Sequence, residues 1–350
     1  MARKLLRKVQ LMGGSTYVVS LPKDWAVRHG ITRGSTIYIH PLPDGSLRIT
    51  PISIEEGPRP PSKAVIEVDG THTARCLVRK ITAHYVAGYN MIHIVFKSPI
   101  SRDVYEEVSR AVSNKIIGAE ILSESEKEVI IHVLVNIREL SADEIIRKMA
   151  ATVLSMVNEC RTLYKSENPS PERFAEIAAR DDLVDKLYLY ALRQLCAVLQ
   201  GAVMPEEVGL DSLNCVLAYS SVYENIERIA DHIAESARRC SEFKVSGESA
   251  KVMRHIAGYA ADVRTFFEKS VRAFMEFDVD AASRLLDSMP DVLLERERAI
   301  VPMLSSLPVE EASRLRLVLL NIRRVVDYSS NILEDVLNVY ACKSLAGKRF

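Results

Sequence analysis

The sequence predicts a multidomain α+β protein: a small N-terminal β domain, a small α/β sandwich and a C-terminal pair of three-helix bundles. Three observations predict this class. Short alternating apolar segments fill residues 1–51, and a segment with four prolines and a glycine at residues 51–63 forms a linker, placed at 52–63. Strand and helix patterns alternate over residues 64–137. From residue 141 onward, apolar residues recur at the three- and four-residue spacing of helices.

The N-terminal domain, residues 1–51, is expected to contain four short strands around one short helix. Pro22 before the helix and Gly30 after it place that helix at residues 23–29. Alternating patterns around the turns at Gly13-Gly14 and Asp44-Gly45 place the strands at residues 8–11, 17–21, 36–40 and 46–50. A domain this small has a marginal core, so a homodimer held through these residues is expected.

The middle segment, residues 64–137, is expected to form a β-α-β-α-β-β sandwich. The patterns place strands at residues 64–68, 91–96, 119–123 and 128–136, and helices at residues 72–87 and 101–115. A spacer, a dimerisation layer and a small-ligand sensor all fit a segment of this size.

The C-terminal half is expected to contain six helices, beginning at a capping box formed by Ser141 and Glu144. Breaks are predicted near residues 168–171, 204–205, 246–247, 277–278 and 307–308, and Pro290 should kink or split the fifth helix. The pattern N-I-x-R-[IV]-[AV]-D occurs at residues 225–231 and again at 321–327, which indicates two related bundles, residues 141–245 and 246–345.

Acidic pairs at four-residue spacing are the candidate metal ligands. Glu227 and Asp231 share a helix face, as do Asp181 and Asp185 on the preceding helix. Carboxylates from facing helices suit iron, manganese, magnesium or calcium ions. The alternative is that these pairs are solvated helix faces, which is what most such pairs are.

The charge distribution points to an anionic partner for the N-terminal domain. The chain has no net charge, but residues 1–50 contain eight Lys/Arg and two Asp, a balance of +6. This asymmetry favours a double-stranded DNA partner. The candidate DNA contacts are Arg3, Lys4, Arg7 and Lys8, with Lys23 and Arg28 as weaker candidates. The alternative is that these residues only keep a dimerisation module in solution.

Several classes of function are not supported by the sequence. The helices contain no Glu-x-x-His pair, and the chain has no GxxxxGK[ST] loop and no GxSxG motif, so an enzyme is not expected. The uncharged stretch at residues 81–96 is shorter than a spanning helix, so an integral membrane protein is not expected. With no signal-peptide pattern, a cytoplasmic protein is expected.

Two segments resemble known families. Residues 224–235, ENIERIADHIAE, resemble the signature of PhoU proteins, and residues 327–334 look like its second copy. Residues 7–11 and 17–25, with Gly30-Ile31 and Gly34, resemble the AbrB/SpoVT swapped-hairpin DNA-binding domain. Together they look like an archaeal-type PhoU-domain transcriptional regulator.

The resemblance implies a pair of PhoU-like three-helix bundles whose E/DxxxD motifs bind metal, and a role in phosphate uptake. Asp181, Asp185, Glu227, Asp231 and Asp327 match the acidic positions, but Arg323 replaces an acidic residue of the second motif. At most one good metal site is therefore expected. The resemblance implies a DNA-binding regulator of phosphate uptake. The alternative is an interaction protein that modulates a phosphate transporter or sensor kinase without binding DNA.

Overall fold

The computed structural model describes residues 5–41, 45–52, 62–69, 73–242 and 247–345. Arg3, Lys4 and most of the linker predicted at residues 52–63 lie outside these ranges. The chain divides into two compact units, residues 1–61 and residues 62–350.

The first unit consists of two antiparallel strand pairs and a short helix. Strands β1 (Gln10–Met12) and β2 (Thr16–Val18) pair, as do β3 (Ile37–Pro41) and β4 (Leu47–Pro51), and helix α1 (Lys23–Arg28) lies between the pairs in sequence. Gly30, which has a φ of 64°, follows the helix as predicted. The first two strands are shorter than predicted, at three residues each.

The second unit begins with a four-stranded mixed sheet in the order β5-β6-β8-β7. Its elements are β5 (Lys63–Val68), α2 (Ala74–Val86), β6 (Met91–Phe96), α3 (Arg102–Lys115), β7 (Ala119–Ser125) and β8 (Glu128–Val133). Strands β5 and β6 are parallel, and the other two pairings are antiparallel. Alternate residues of β5, β6 and β8 are buried with residues of α2 and α3, so these two helices cover one face of the sheet.

The remaining chain is helical. The helices are α4 (Ala142–Tyr164), α5 (Pro171–Ala178), α6 (Asp181–Leu199), α7 (Val216–Ser241), α8 (Gly247–Glu276), α9 (Val279–Ile300) and α10 (Val309–Leu345). Short 3₁₀ turns lie between α6 and α7 and between α9 and α10. None of the helices in the described ranges combines the length and apolarity needed to cross a bilayer.

Most of the predicted helix ends agree with the structure, with two differences. The Ser141 capping box is present: the Glu144 amide donates to Ser141 Oγ at 3.3 Å, and the Ser141 amide donates to a Glu144 carboxylate oxygen at 2.8 Å. The second helix of the first bundle is broken between Ala178 and Asp181, so the described residues from 141 onward contain seven α-helices rather than six. Helix α9 runs through Pro290 without being split.

The two predicted bundles share one apolar core. Buried side chains from α4 to α10 form a single cluster, in which α7 packs against α10 and α4 packs against α8. The structure therefore confirms the multidomain α+β class with a helical C-terminal half. Exchange of hairpins in the N-terminal unit requires a second chain and stays a prediction.

Side chains of α6 attach the sheet domain to the helices. Arg193, which is only 4% exposed, donates to the backbone oxygens of Tyr85, Gly88 (3.3 Å) and Tyr89 (3.0 Å) and to Asn90 Oδ1 (2.6 Å). The three carbonyl oxygens lie in the last turn of α2 and just after it, where few carbonyl groups have helical partners and the helix dipole favours a cation. The guanidinium therefore serves as the C-terminal cap of α2.

A second set of α6 contacts fixes the segment after β8. Tyr190 donates to the Asn136 carbonyl at 2.9 Å, and Gln194 Nε2 donates to the Ile137 and Leu140 carbonyls at 2.7 Å. Strand β8 ends at Val133 rather than at the predicted residue 136. The Leu134 amide still bonds to the Gly118 carbonyl at 2.7 Å, but the carbonyls of residues 136, 137 and 140 bond to α6 instead of to a strand.

Candidate functional site

Three of the predicted metal ligands lie together between α6 and α7. Asp181 and Asp185 lie one turn apart at the start of α6, and Asp231 lies on α7. Each contributes a carboxylate oxygen to a group in which all oxygens lie within 4.8 Å of one another. Glu227 lies one turn before Asp231 and interacts electrostatically with both Asp231 and Asp185.

The position of this acidic cluster follows from the local sequence. Helix α6 restarts at Asp181 after the short break that follows α5, and Arg180 at that break is ion paired with Glu159 of α4, with Nη2 donating at 2.9 Å. Two carboxylates in the first turns of α6 are compatible with the positive end of the helix dipole. The start of α6 thus presents Asp181 and Asp185 to the middle of α7.

Burial and mutual repulsion make ionisation of the cluster unfavourable. Burial first, and then the charges of Asp185 and Asp231, raise the pKa of Asp181 to about 7. Burial and Asp231 likewise raise the pKa of Glu227 to about 7, and they raise that of Asp185 as well. Carboxylates this close do not all ionise unless a cation or protons compensate their charge.

The donor set fits a metal ion. Asp181 Oδ1 is buried and has no hydrogen-bond partner among the described residues, and the nearest cation is Arg238, whose Nη2 lies 3.6 Å from Asp181 Oδ2. A buried carboxylate oxygen without a partner is costly. Oxygen ligands of this kind suit Mg²⁺, Mn²⁺ and iron ions.

A cleft of about 620 Å³ lies beside the acidic cluster, between α2 and α3 on one side and α6 and α7 on the other. Asp185 and Glu227 line it from the helical half, and Arg79 and Lys115 line it from the sheet domain. The Lys115 charge lowers the pKa of Asp185, opposing the effect of burial. Sequence reasoning missed both basic residues, because no local signal relates a helix of the sheet domain to a carboxylate that follows about 70 or more residues later.

In the second bundle, the positions that correspond to Glu227 and Asp231 are occupied by Arg323 and Asp327, which form an ion pair. Arg323 Nη2 lies 3.1 Å from Asp327 Oδ1, and its Nη1 lies 3.5 Å from the buried Glu297 carboxylate of α9. Arg324 approaches Asp327 at 3.4 Å, and Arg316 approaches Glu297 at 3.3 Å. Asp327 is thus not brought into the acidic cluster, and guanidinium groups neutralise the carboxylates around it.

The described DNA-contact candidates are all exposed in the first unit. Arg7 and Lys8 precede β1, Lys23 begins α1 and Arg28 ends it. The Arg7 guanidinium donates to the Leu6 carbonyl at 3.0 Å, and Arg3 and Lys4 lie outside the described residues.

Comparisons with known proteins identify two domains. Residues 146–240 match the family model described as the PhoU domain, and residues 10–56 match the model described as antidote-toxin recognition MazE, bacterial antitoxin. The chain is 24% identical over 206 residues to the phosphate-specific transport system accessory protein PhoU homolog 1 of Thermotoga maritima, covering 57% of this chain and 86% of that protein. It is 17% identical to PhoU from Pseudomonas aeruginosa in its crystal structure, with a TM-score of 0.47 over 57% of this chain and 96% of that chain. The protein therefore carries a PhoU domain in its helical half and a MazE/AbrB-like domain at its N-terminal end.

Proposed function

We propose that this protein is a DNA-binding transcriptional regulator of phosphate uptake that acts in the cytoplasm. The observation that carries the proposal is the presence of a MazE/AbrB-like domain and a PhoU domain in one chain. The MazE/AbrB-like domain supplies the exposed basic residues Arg7, Lys8, Lys23 and Arg28. The PhoU domain lies in the helical half, which acts as the sensor or docking part of the protein. Its role is regulatory rather than catalytic.

Exposed apolar side chains in the first unit support a homodimer as the DNA-binding form. Of the 23 large hydrophobic residues that are exposed in the described ranges, twelve fall within residues 5–47, and Leu6 is 94% exposed. Pro51 is the single buried residue among the described positions up to Ile52. Because a unit without a core of its own needs a partner surface, a second copy of this domain is the proposed partner.

The test is DNA binding by the full-length protein at several salt concentrations. Wild-type protein should bind duplex DNA with an affinity that falls steeply as salt rises. Replacing Arg7 and Lys8 by Ala should weaken binding and reduce the salt slope by roughly 0.9 for each phosphate group that the variant no longer neutralises.

The matched control removes two positive charges elsewhere. Arg272 and Arg284 are exposed on α8 and α9, and their replacement by Ala should leave the salt slope unchanged. If the wild-type protein binds no duplex DNA, the DNA-binding proposal is wrong. If both double variants weaken binding equally, the assignment of Arg7 and Lys8 as DNA contacts is wrong.

We further propose that Asp181, Asp185 and Asp231 hold a single metal ion, with Glu227 beside them. When bound, Mg²⁺, Mn²⁺ or iron would supply the positive charge that these carboxylates lack. The second bundle would need no metal, because Arg323 already lies between Asp327 and Glu297.

Elemental analysis of the purified full-length protein tests the metal proposal. At most one equivalent of iron, manganese or magnesium per chain is expected at this site, and Asp231→Ala should lower the metal content by that equivalent. Asp327→Ala is the control and should leave the metal content unchanged. Metal that is lost with Asp327 and kept without Asp231 would place the site in the second bundle and overturn the assignment.

The second candidate function is modulation of a phosphate transporter or sensor kinase without DNA binding. The name of the Thermotoga relative, a transport system accessory protein, supports it. The variant with Arg7 and Lys8 replaced separates the two candidates in cells: the second function would retain phosphate-dependent regulation in that variant, whereas the first would lose it.

A further inference from the structure

A polar groove of about 610 Å³ runs between α7 and α10. All of its lining residues come from these two helices, one from each bundle, and they include neither Asp185 nor Asp231. The groove is therefore distinct from the acidic cluster between α6 and α7, and the proposed function makes no use of it.

The buried anchor of this groove is Asp335. The residue is 6% exposed, and its Oδ1 accepts a hydrogen bond from Asn338 Nδ2 at 3.3 Å. Its Oδ2 is buried and accepts no hydrogen bond of ordinary geometry in the described part of the chain. Burial raises the pKa of Asp335, and the Ser221 hydroxyl and the Asn338 amide act against this by interacting with the carboxylate. A carboxylate oxygen removed from water and left without a well-formed hydrogen bond is costly, so this atom points to a ligand that the groove is built to receive.

The neighbouring groups supply further oxygen atoms. Asn225 is 7% exposed, and its Oδ1 accepts from Asn331 Nδ2 at 3.0 Å, while its Nδ2 donates to the Ser221 carbonyl at 2.9 Å. This network fixes Asn225, Asn331 and Ser221 around the buried carboxylate. The lining contains carboxylates, amides and hydroxyls but no Cys or His, a set of donors that favours hard cations over transition metals.

The charge of the groove has the sign that a cation requires. Glu224, Glu334 and Asp335 contribute three negative charges and Arg228 one positive charge, which gives a formal balance of −2. Arg228 lies 3.7 Å from Glu224 and 3.8 Å from Glu227, so its charge is shared with carboxylates at the rim.

We propose that this groove binds a hard divalent cation, Ca²⁺ or Mg²⁺, with the Asp335 carboxylate as its buried ligand. The adjacent Glu334 carboxylate and the side-chain oxygens of Ser221 and Asn225 complete the oxygen-rich environment. Because α7 and α10 belong to different bundles, the bound cation links the two halves of the helical domain.

The experiment is a calorimetric titration of chelator-treated, full-length protein with Ca²⁺ and, separately, with Mg²⁺. The protein carries Asp231→Ala, so that the acidic cluster between α6 and α7 does not contribute. One saturable site is expected for at least one of the two cations. Adding Asp335→Asn should weaken it by at least about tenfold, which corresponds to about 1.4 kcal/mol.

Two further variants make the result decisive. Asp287→Asn removes an exposed carboxylate on α9, outside the groove, and should leave the titration unchanged. Glu334→Gln changes an exposed residue at the rim and should weaken binding several-fold, so it tests the proposal even if Asp335→Asn does not fold. Failure of both cations to saturate, or equal affinity after either groove substitution, overturns the proposal and leaves DNA binding and the Asp231 site untouched.

Discussion

At the scale of single residues, Arg193 is the side chain whose loss should be most costly. Arg193→Ala would leave the Tyr89 carbonyl and Asn90 Oδ1 without the buried donor that they have in the folded protein, and each such group costs roughly 1–3 kcal/mol. We expect the free energy of unfolding to fall by about 3 kcal/mol or more, measured by urea denaturation. Arg298→Ala, which removes an exposed partner of Glu295, should change it by less than about 1 kcal/mol.

The acidic cluster predicts how stability depends on pH. The pKa of Asp181 is raised to about 7 in the folded protein, whereas an unfolded Asp has a pKa near about 3.9. Since the folded value is the higher one, the stabilising contribution is complete below about pH 4 and is lost as the pH rises through about 7. Chelator-treated protein should therefore melt at progressively lower temperature from about pH 5 to about pH 8.

The matched variant for this pH series is Asp181→Asn, which removes the titrating group while keeping its shape. Its melting temperature should vary less over the same interval. A wild-type protein that becomes more stable with rising pH in the absence of metal would contradict the assignment of a destabilising charge to this cluster.

Helix periodicity alone was weak evidence for a metal site, because most acidic pairs four apart are solvated helix faces. The repeat and the PhoU resemblance were needed to predict Asp181, Asp185, Glu227 and Asp231 as one set. The roles of Arg193, Arg79 and Lys115 could not be predicted in the same way. In the sequence they look like ordinary basic residues of amphipathic helices, and only the packing of α2 and α3 against α6 defines their surroundings.

At the scale of elements, two glycines should respond in opposite directions to the same substitution. Gly118, before β7, has a φ of 69°, and a Cβ added to it would lie 2.8 Å from Val135 Cβ. Gly118→Ala should therefore destabilise the protein by about 1–3 kcal/mol. Gly258, within α8, has no heavy atom within 4 Å of an added Cβ, so Gly258→Ala should stabilise it by about 0.5–1 kcal/mol.

Urea denaturation of the two alanine variants checks this pair of expectations. A stabilising Gly118→Ala would show that the turn before β7 relaxes freely. A destabilising Gly258→Ala would indicate that α8 lies against a surface that the single chain does not contain.

Most element boundaries were predictable because their signals are local. The capping box at Ser141 and the breaks at Pro171 and Phe277-Asp278 are examples, and Asp278 accepts a bond from the Ala281 amide at 2.8 Å. The break before Asp181 was not predicted, since no Gly or Pro marks it. The Arg180–Glu159 ion pair lies at this break and joins residues that are distant in sequence.

At the scale of the whole molecule, assembly should depend on the first unit. Light scattering of the intact protein should give about twice the chain mass of 39.2 kDa. Val19→Glu places a charge among the exposed apolar residues of this unit and should shift the protein towards the monomer. Leu217→Glu, at an exposed apolar position on α7, is the control and should leave the mass unchanged. A monomer at micromolar wild-type concentration would refute the homodimer.

Helix α6 carries two sets of contacts on one rigid element. Asp181 and Asp185 occupy its first turns, and Arg193 and Gln194 hold the sheet domain roughly 12 Å further along the axis. The helix acts as one rigid rod between these positions, because the residues that separate them form an uninterrupted α-helix. If a change in charge at the carboxylates shifts α6 along its axis, the same shift therefore moves Arg193 and the end of α2 to which it is bonded.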